Sequence, residues 1–204
     1  MLWAENHNKQ YPFQVSVAQG GTKEFVEAGP VSLHFSAISN EVGTFTVLAC
    51  SSDKGRVPRK GIANLTDLNV SYFLNPGVRP DMPEGVLAGD RNVTGGVARA
   101  SNVVEFTAQS SPGWGKGLHG PNGGYVALAD GSVHETTTRN FCDLLPGAPG
   151  GTSRLIFPVG ELPTSIVHQR LASKTLSVLG AVAICGALVA LVWFSLREPV
   201  KREV

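Results

Sequence analysis

Apolar positions recur along the chain in short bursts, each closed by glycine, proline or a polar pair. Residues Met1–Gln10 open with the helix-compatible Leu2-Trp3-Ala4-Glu5, and Asn6, Asn8 and Pro12 then signal a stop. Gln14–Ala18 (QVSVA) alternates with a period of two and predicts a short strand, broken by Gly20-Gly21. Val31–Ser39 (VSLHFSAIS) places Val31, Phe35 and Ile38 at spacings of four and three, which predicts a helix. Thr46–Ala49 is apolar and β-prone and is closed by Cys50-Ser51-Ser52-Asp53. Asn69–Leu74, Val86–Ala88 and a segment around Val103–Thr107 predict further strands. Gly124–Ala129 (GYVALA) and Ser132–Thr137 (SVHETT) flank Asp130-Gly131, a strong hairpin signal in which both turn residues would take positive φ. Phe141–Leu145 predicts a helical turn, and Leu155–Val159 is a last apolar segment. Short strands, tight turns and a helix or two predict one small α+β domain over residues 1–159. The absence of long βαβ units argues against a doubly wound nucleotide-binding fold.

Beyond this domain the pattern changes. Residues 160–175 read as a linker, and Leu176–Leu196 (LSVLGAVAICGALVALVWFSL) is a run of 21 residues without a charge. As a helix it would measure about 32 Å at 1.5 Å per residue, matching a hydrocarbon core of about 30 Å. Arg170 and Lys174 flank one end, and Arg197, Lys201 and Arg202 the other, with Trp193 and Phe194 near the interface. This predicts one C-terminal transmembrane helix contacting membrane lipid, followed by a basic tail, 197–204. The slight excess of basic residues after the span favours a cytoplasmic tail and a globular domain on the periplasmic side. The opening MLWAENHNKQ has no basic n-region or apolar h-region. The expectation is therefore either a start that lies upstream or a domain that stays inside, with the tail inserted after synthesis.

Composition removes one function class. Charged residues are 16% of the chain and the net charge is +1, with no cluster of lysines or arginines to attract a phosphate backbone, so no nucleic-acid partner is expected. Of Cys50, Cys142 and Cys185, none forms a CxxC pair, so a cysteine zinc site or thioredoxin-type motif is not supported. Cys50 and Cys142 either pair in an oxidising compartment or stand as two thiols. His119 and Asp130, with His34 and His134 elsewhere, raise a metal site or a catalytic dyad, but no HExxH or paired-histidine spacing exists. No serine sits in a GxSxG elbow and no glycine-rich segment has phosphate-loop spacing. No catalytic residue is therefore assigned. Asp90 follows an apolar strand and, with Asp130 and backbone carbonyls, offers the hard oxygen ligands that suit calcium. The alternative is a hydrogen-bonded turn between Asp90 and Arg91.

Read in order, WAENHNKQYPFQVSV, GGTKEF, HFSAISNEVGT, VLACSSDKGR, NVSYFL, LAGDRNVT, WGKGLHGPNGGYVALADGSV and RLIFPV form a set. It resembles the globular part of bacterial type II secretion pseudopilins, in the H-x-DG group common in Verrucomicrobia and Planctomycetes. The strongest parts are LAGDRN and His119 followed by Asp130-Gly131. The resemblance covers about Leu2–Val159. It implies an α+β pilin-like head with an antiparallel sheet and a non-enzymatic role in assembling with other pseudopilin or secretion-system subunits; some major members bind calcium. Two features depart from the family: its N-terminal apolar helix is not in this sequence, and a C-terminal span is not usual for it. Ten residues, Gly120 to Ala129, separate His119 from Asp130-Gly131, one more than the family's usual spacing. An envelope hydrolase or metal-dependent enzyme using His119 and Asp130, and a tail-anchored cytoplasmic binding module, are the competing expectations.

Overall fold

The computed structural model describes residues 3–120, 123–145 and 151–160. Its architecture is α+β, built on a mostly antiparallel sheet with few, short helices. The strands are β1 (Tyr72–Leu74), β2 (Val86–Asp90), β3 (Val93–Thr94), β4 (Val97–Ala98), β5 (Val103–Thr107), β6 (Gly113–Trp114), β7 (Gly123–Leu128), β8 (Val133–Thr137) and β9 (Thr152–Ile156). Seven of them form one sheet in the order β4-β5-β9-β1-β2-β7-β8, while β3 and β6 pair separately. The helices are α1 (Val31–Ser36) and α2 (Thr138–Leu144).

Every residue of the central strands β1 and β2 is buried, so both faces of the sheet are covered. On one face Tyr72, Leu74, Ala88, Ala127 and Ile156 pack with Val31 and Phe35 of α1 and with Phe45, Leu48 and Cys50. On the other, Phe73, Val126, Phe106 and Leu155 pack with Trp114 of β6 and with Phe141 of α2, whose rings stack at 4.3 Å. Successive residues of β1 and β7 alternate between these cores, the period of two expected of a strand.

The hairpin at Asp130-Gly131 is present, with a different turn. Gly131 has φ 87°, while Asp130 is not among the residues with positive φ. Gly131 N–H donates to the Leu128 carbonyl (3.0 Å) and Leu128 N–H donates to the Ser132 carbonyl (2.9 Å). This is a longer loop with a left-handed glycine before the return strand, so only one residue needs the conformation that glycine tolerates. Gln14–Ala18 is not a strand. It contributes to 3-10 turns at Pro12–Gln14 and Val17–Gln19, because Pro12 presets φ and the side chains of Tyr11 and Phe13 bury together against Val78, Leu87 and Ala129. Phe45–Leu48 is likewise a 3-10 turn. Among the described residues no helix is long and apolar enough to cross a membrane; the expected span Leu176–Leu196, its basic tail and residues 161–175 of the linker lie outside them.

Buried polar side chains bind the irregular segments to the sheet. Arg56, 1% exposed, donates through Nε to the Val70 carbonyl (2.8 Å), through Nη1 to those of Gly55 (2.9 Å) and Gly160 (3.0 Å), and through Nη2 to that of Pro158 (3.2 Å). Asp67 accepts from the backbone N–H of Ser32 (2.8 Å) and of Val159 (2.9 Å). Together they hold the segment after β9 against α1 and the loop before β1.

His34, on α1, is also buried. Its Nδ1 lies 2.7 Å from the Thr22 hydroxyl and its ring meets Phe13 edge-on. Burial pushes its pKa down to about 4, against a weaker upward pull from Asp67. The native state therefore binds fewer protons than the unfolded chain between about pH 4 and the ordinary histidine value of 6.5. Stability from this group is complete above that window and is lost as pH falls through it, by about 3 kcal/mol in all. Urea titrations between pH 7 and pH 4 should show this decline, and His34→Leu should flatten it.

Candidate functional site

β2 ends where its ladder with β7 gives out. The last paired residues are Gly89 and Val126, and at the next position the Asp90 side chain takes over. Its Oδ2 accepts from the Tyr125 backbone N–H at 2.8 Å. Asp90 is 0% exposed, and its Oδ1 accepts no hydrogen bond from the described residues.

Two other segments meet this carboxylate. The turn after Leu48 carries Cys50, whose backbone N–H donates to Ser71 Oγ at 3.0 Å, tying the turn to the entry of β1. The glycine-rich loop between β6 and β7 carries His119, flanked by Gly117 (φ 129°) and Gly120 (φ 107°). Such backbone angles cost glycine little and let the loop fold back over the sheet. His119 Nε2 lies 3.3 Å from Cys50 Sγ and 3.4 Å from Asp90 Oδ2. The Tyr125 ring stands edge-on to the imidazole at 4.9 Å and limits its rotation. Cys50, Asp90 and His119 are the one group of metal-ligating type among the described residues, their donor atoms all within 4.8 Å of one another. The hydrogen bond to Asp90 raises the His119 pKa to about 9, overcoming burial; the Asp90 charge and Cys50 add to it.

The same ring nitrogen faces both the thiol and the carboxylate. In an acid–base relay, nucleophile and orienting carboxylate engage opposite nitrogens of the imidazole. The arrangement is therefore one of three donors converging on a point, rather than a relay line.

The other expected residues lie elsewhere. Asp130 is exposed in the β7–β8 turn, where its Oδ1 accepts from Ser132 N–H (2.8 Å) and Oγ–H (2.7 Å). These bonds, with His134, hold its carboxyl below the usual range. Asp90 ends β2 and meets β7 at Tyr125, whereas Asp130 N–H donates to the Pro83 carbonyl before β2 begins; the five residues from Tyr125 to Asp130 span roughly 17 Å at 3.4 Å per residue. Asp90 and Asp130 do not form the expected calcium pair, and His119 does not meet Asp130. His134 projects from β8, with its Nε2 2.9 Å from Ser132 Oγ. Arg91, the turn partner weighed for Asp90, reaches back to the buried Asp53 with two bonds, Nε to Oδ2 at 2.7 Å and Nη2 to Oδ1 at 2.9 Å. Burial would raise the Asp53 carboxyl, but Arg91, aided by Ser71 and Arg56, holds it below its ordinary value. No disulfide joins Cys50 and Cys142. Cys50 is the residue that sequence reasoning left out of the site: only the tertiary pairing brings the turn before β1 beside the end of β2.

A cleft of about 430 Å³ runs alongside, lined by Asp53, Lys54, Arg91, Asn92, Lys116 and Leu118 among others. It is polar and open, unlike the apolar pockets that enclose small organic ligands. Comparison with protein-family models, with curated proteins and with solved structures returned no match.

The Asp53–Arg91 pair braces the Cys50 turn against β2, and its loss has a defined cost. Arg91→Met removes the salt-bridge partner of a buried carboxylate and should lower stability by about 3 kcal/mol. Asp53→Asn combined with Arg91→Met should recover part of that loss in a double-mutant cycle read by urea denaturation.

Proposed function

We propose that this chain is a non-enzymatic, membrane-anchored, pseudopilin-like protein of a type II secretion or pilus-like envelope system, with a pilin-like head that acts through protein–protein contacts. One observation carries the reading. The segments that resemble pseudopilin heads, CSSDKGR, LAGDRN and WGKGLHG, lie far apart in the chain yet meet at one end of an antiparallel sheet, through Cys50, Asp53, Asp90, Arg91 and His119. A shared set of motifs that builds one buried cluster is what a common head architecture requires. The three-donor arrangement, with one imidazole nitrogen against both neighbours, supports a structural use of these residues over catalysis. The apolar run Leu176–Leu196 supports the anchor, and the basic residues after it support a periplasmic head.

The thiol beside an imidazole favours one competing reading, an envelope hydrolase with Cys50 as nucleophile. The two readings separate in one experiment. Val97, exposed at 53% on the edge strand β4, is replaced by a photo-crosslinking amino acid in the full chain, expressed in a host with a type II secretion system. Light-dependent adducts with pilin-type subunits of that system are the expected result. Recovery of the chain without such adducts, together with ester or glycan hydrolysis lost in Cys50→Ser, would replace this reading with the enzyme. A reporter fused after Val204 should locate the tail in the cytoplasm; a tail on the other side would remove the periplasmic head.

A further inference from the structure

We propose that Cys50, Asp90 and His119 form a binding site for a thiophilic divalent metal ion, zinc foremost. The proposal goes beyond the assembly role and does not rest on it.

Geometry comes first. Zinc binds cysteine sulfur at about 2.3 Å, histidine nitrogen at about 2.0–2.1 Å and carboxylate oxygen at about 2.0–2.2 Å, in tetrahedral array. The edges of such a tetrahedron, from donor to donor, are about 3.3–3.6 Å by those lengths. The distances found are 3.3 Å from Cys50 Sγ to His119 Nε2 and 3.4 Å from His119 Nε2 to Asp90 Oδ2. All three donor atoms fall within 4.8 Å of one another. They come from three separate segments, so local sequence spacing does not force them together.

Burial is the second observation. Asp90 is 0% exposed, and its Oδ1 accepts no hydrogen bond from the described residues. A buried carboxylate oxygen without a donor is costly, and a metal ion at the cluster would give that carboxylate a further partner. The surroundings resemble the outer shell of a metal centre: Tyr125 N–H steadies Asp90 Oδ2, the Tyr125 ring limits the His119 imidazole, and Ser71 Oγ holds the Cys50 backbone.

Donor chemistry selects the ion. One sulfur, one imidazole nitrogen and one carboxylate oxygen suit zinc or its late first-row neighbours, whereas calcium and magnesium demand oxygen ligands throughout. Three protein ligands leave a fourth position. The His119 side chain is 15% exposed, so that position opens towards solvent, where water or a ligand from a partner protein completes it.

The test uses the full chain in detergent, stripped with a chelator and titrated with zinc, then with cobalt(II). The wild type is expected to retain about one zinc per chain after gel filtration, as a site of this kind does. Cobalt should produce a thiolate-to-metal charge-transfer band in the near ultraviolet. Cys50→Ser should abolish that band, and His119→Gln, at a partly exposed position, should weaken zinc affinity at least about tenfold, with circular dichroism unchanged in both. Calcium at the same concentration should leave the zinc titration unaltered. A folded wild type that retains no zinc would overturn the proposal. So would zinc retention, or a cobalt band, that survives in both variants, because the ion would then sit elsewhere. If Cys50→Ser unfolds, His119→Gln decides alone: unchanged affinity rejects the site.

Discussion

A carboxylate with no exposed surface sets the terms for one end of this molecule. Asp90 terminates β2 and is 0% exposed. Leaving an ionised group in such a place without compensation costs several kcal/mol. Compensation comes from two directions: the Tyr125 N–H of β7 and the His119 imidazole from the loop before it, which the Cys50 thiol meets in turn. Each donor belongs to a different segment. Satisfying Asp90 therefore also sets where the glycine-rich loop lies and how the Cys50 turn meets the sheet. Arg91, the next residue, extends the same bracing outward to Asp53.

The same logic holds the irregular part of the chain. Much of the segment before β1 is 3-10 turn and loop rather than ladder or helix. Backbone polar groups there still need partners once buried. Arg56 supplies them for four carbonyls, Asp67 for two N–H groups, and Asn102 for the Gly29 carbonyl. Apolar clusters on both faces of the sheet drive collapse, and these polar side chains determine which loop lies where. Hydrophobic contact is not directional; a guanidinium that must reach four carbonyls is.

Legibility in the sequence follows the range of the interaction. The β7–β8 hairpin was readable because Asp130-Gly131 is a local device, although its turn uses one left-handed residue rather than two. Helix α1 was readable from its spacing, and ended earlier than its apolar pattern. QVSVA was misread because alternation alone does not report that Pro12 presets a 3-10 turn and that Tyr11 and Phe13 bury as a pair. The site was half readable. Asp90 and His119 stood out by residue type and position. Their partner did not, since Asp130 is close to His119 in sequence but at the far end of β7, while Cys50 is distant in sequence and adjacent in space. The sheet order places β1 between β9 and β2, and no local pattern encodes that order.

Donor type separates the ions that this cluster could hold. A sulfur, an imidazole nitrogen and a buried carboxylate oxygen converge from three segments of the chain. Sulfur and nitrogen donors suit zinc and its late first-row neighbours, whose bonds to them are short and directional. A calcium ion asks for about six to eight oxygen ligands and would find one carboxylate here, beside a sulfur for which it has no affinity. Donor softness thus points to the same ion as the distances do.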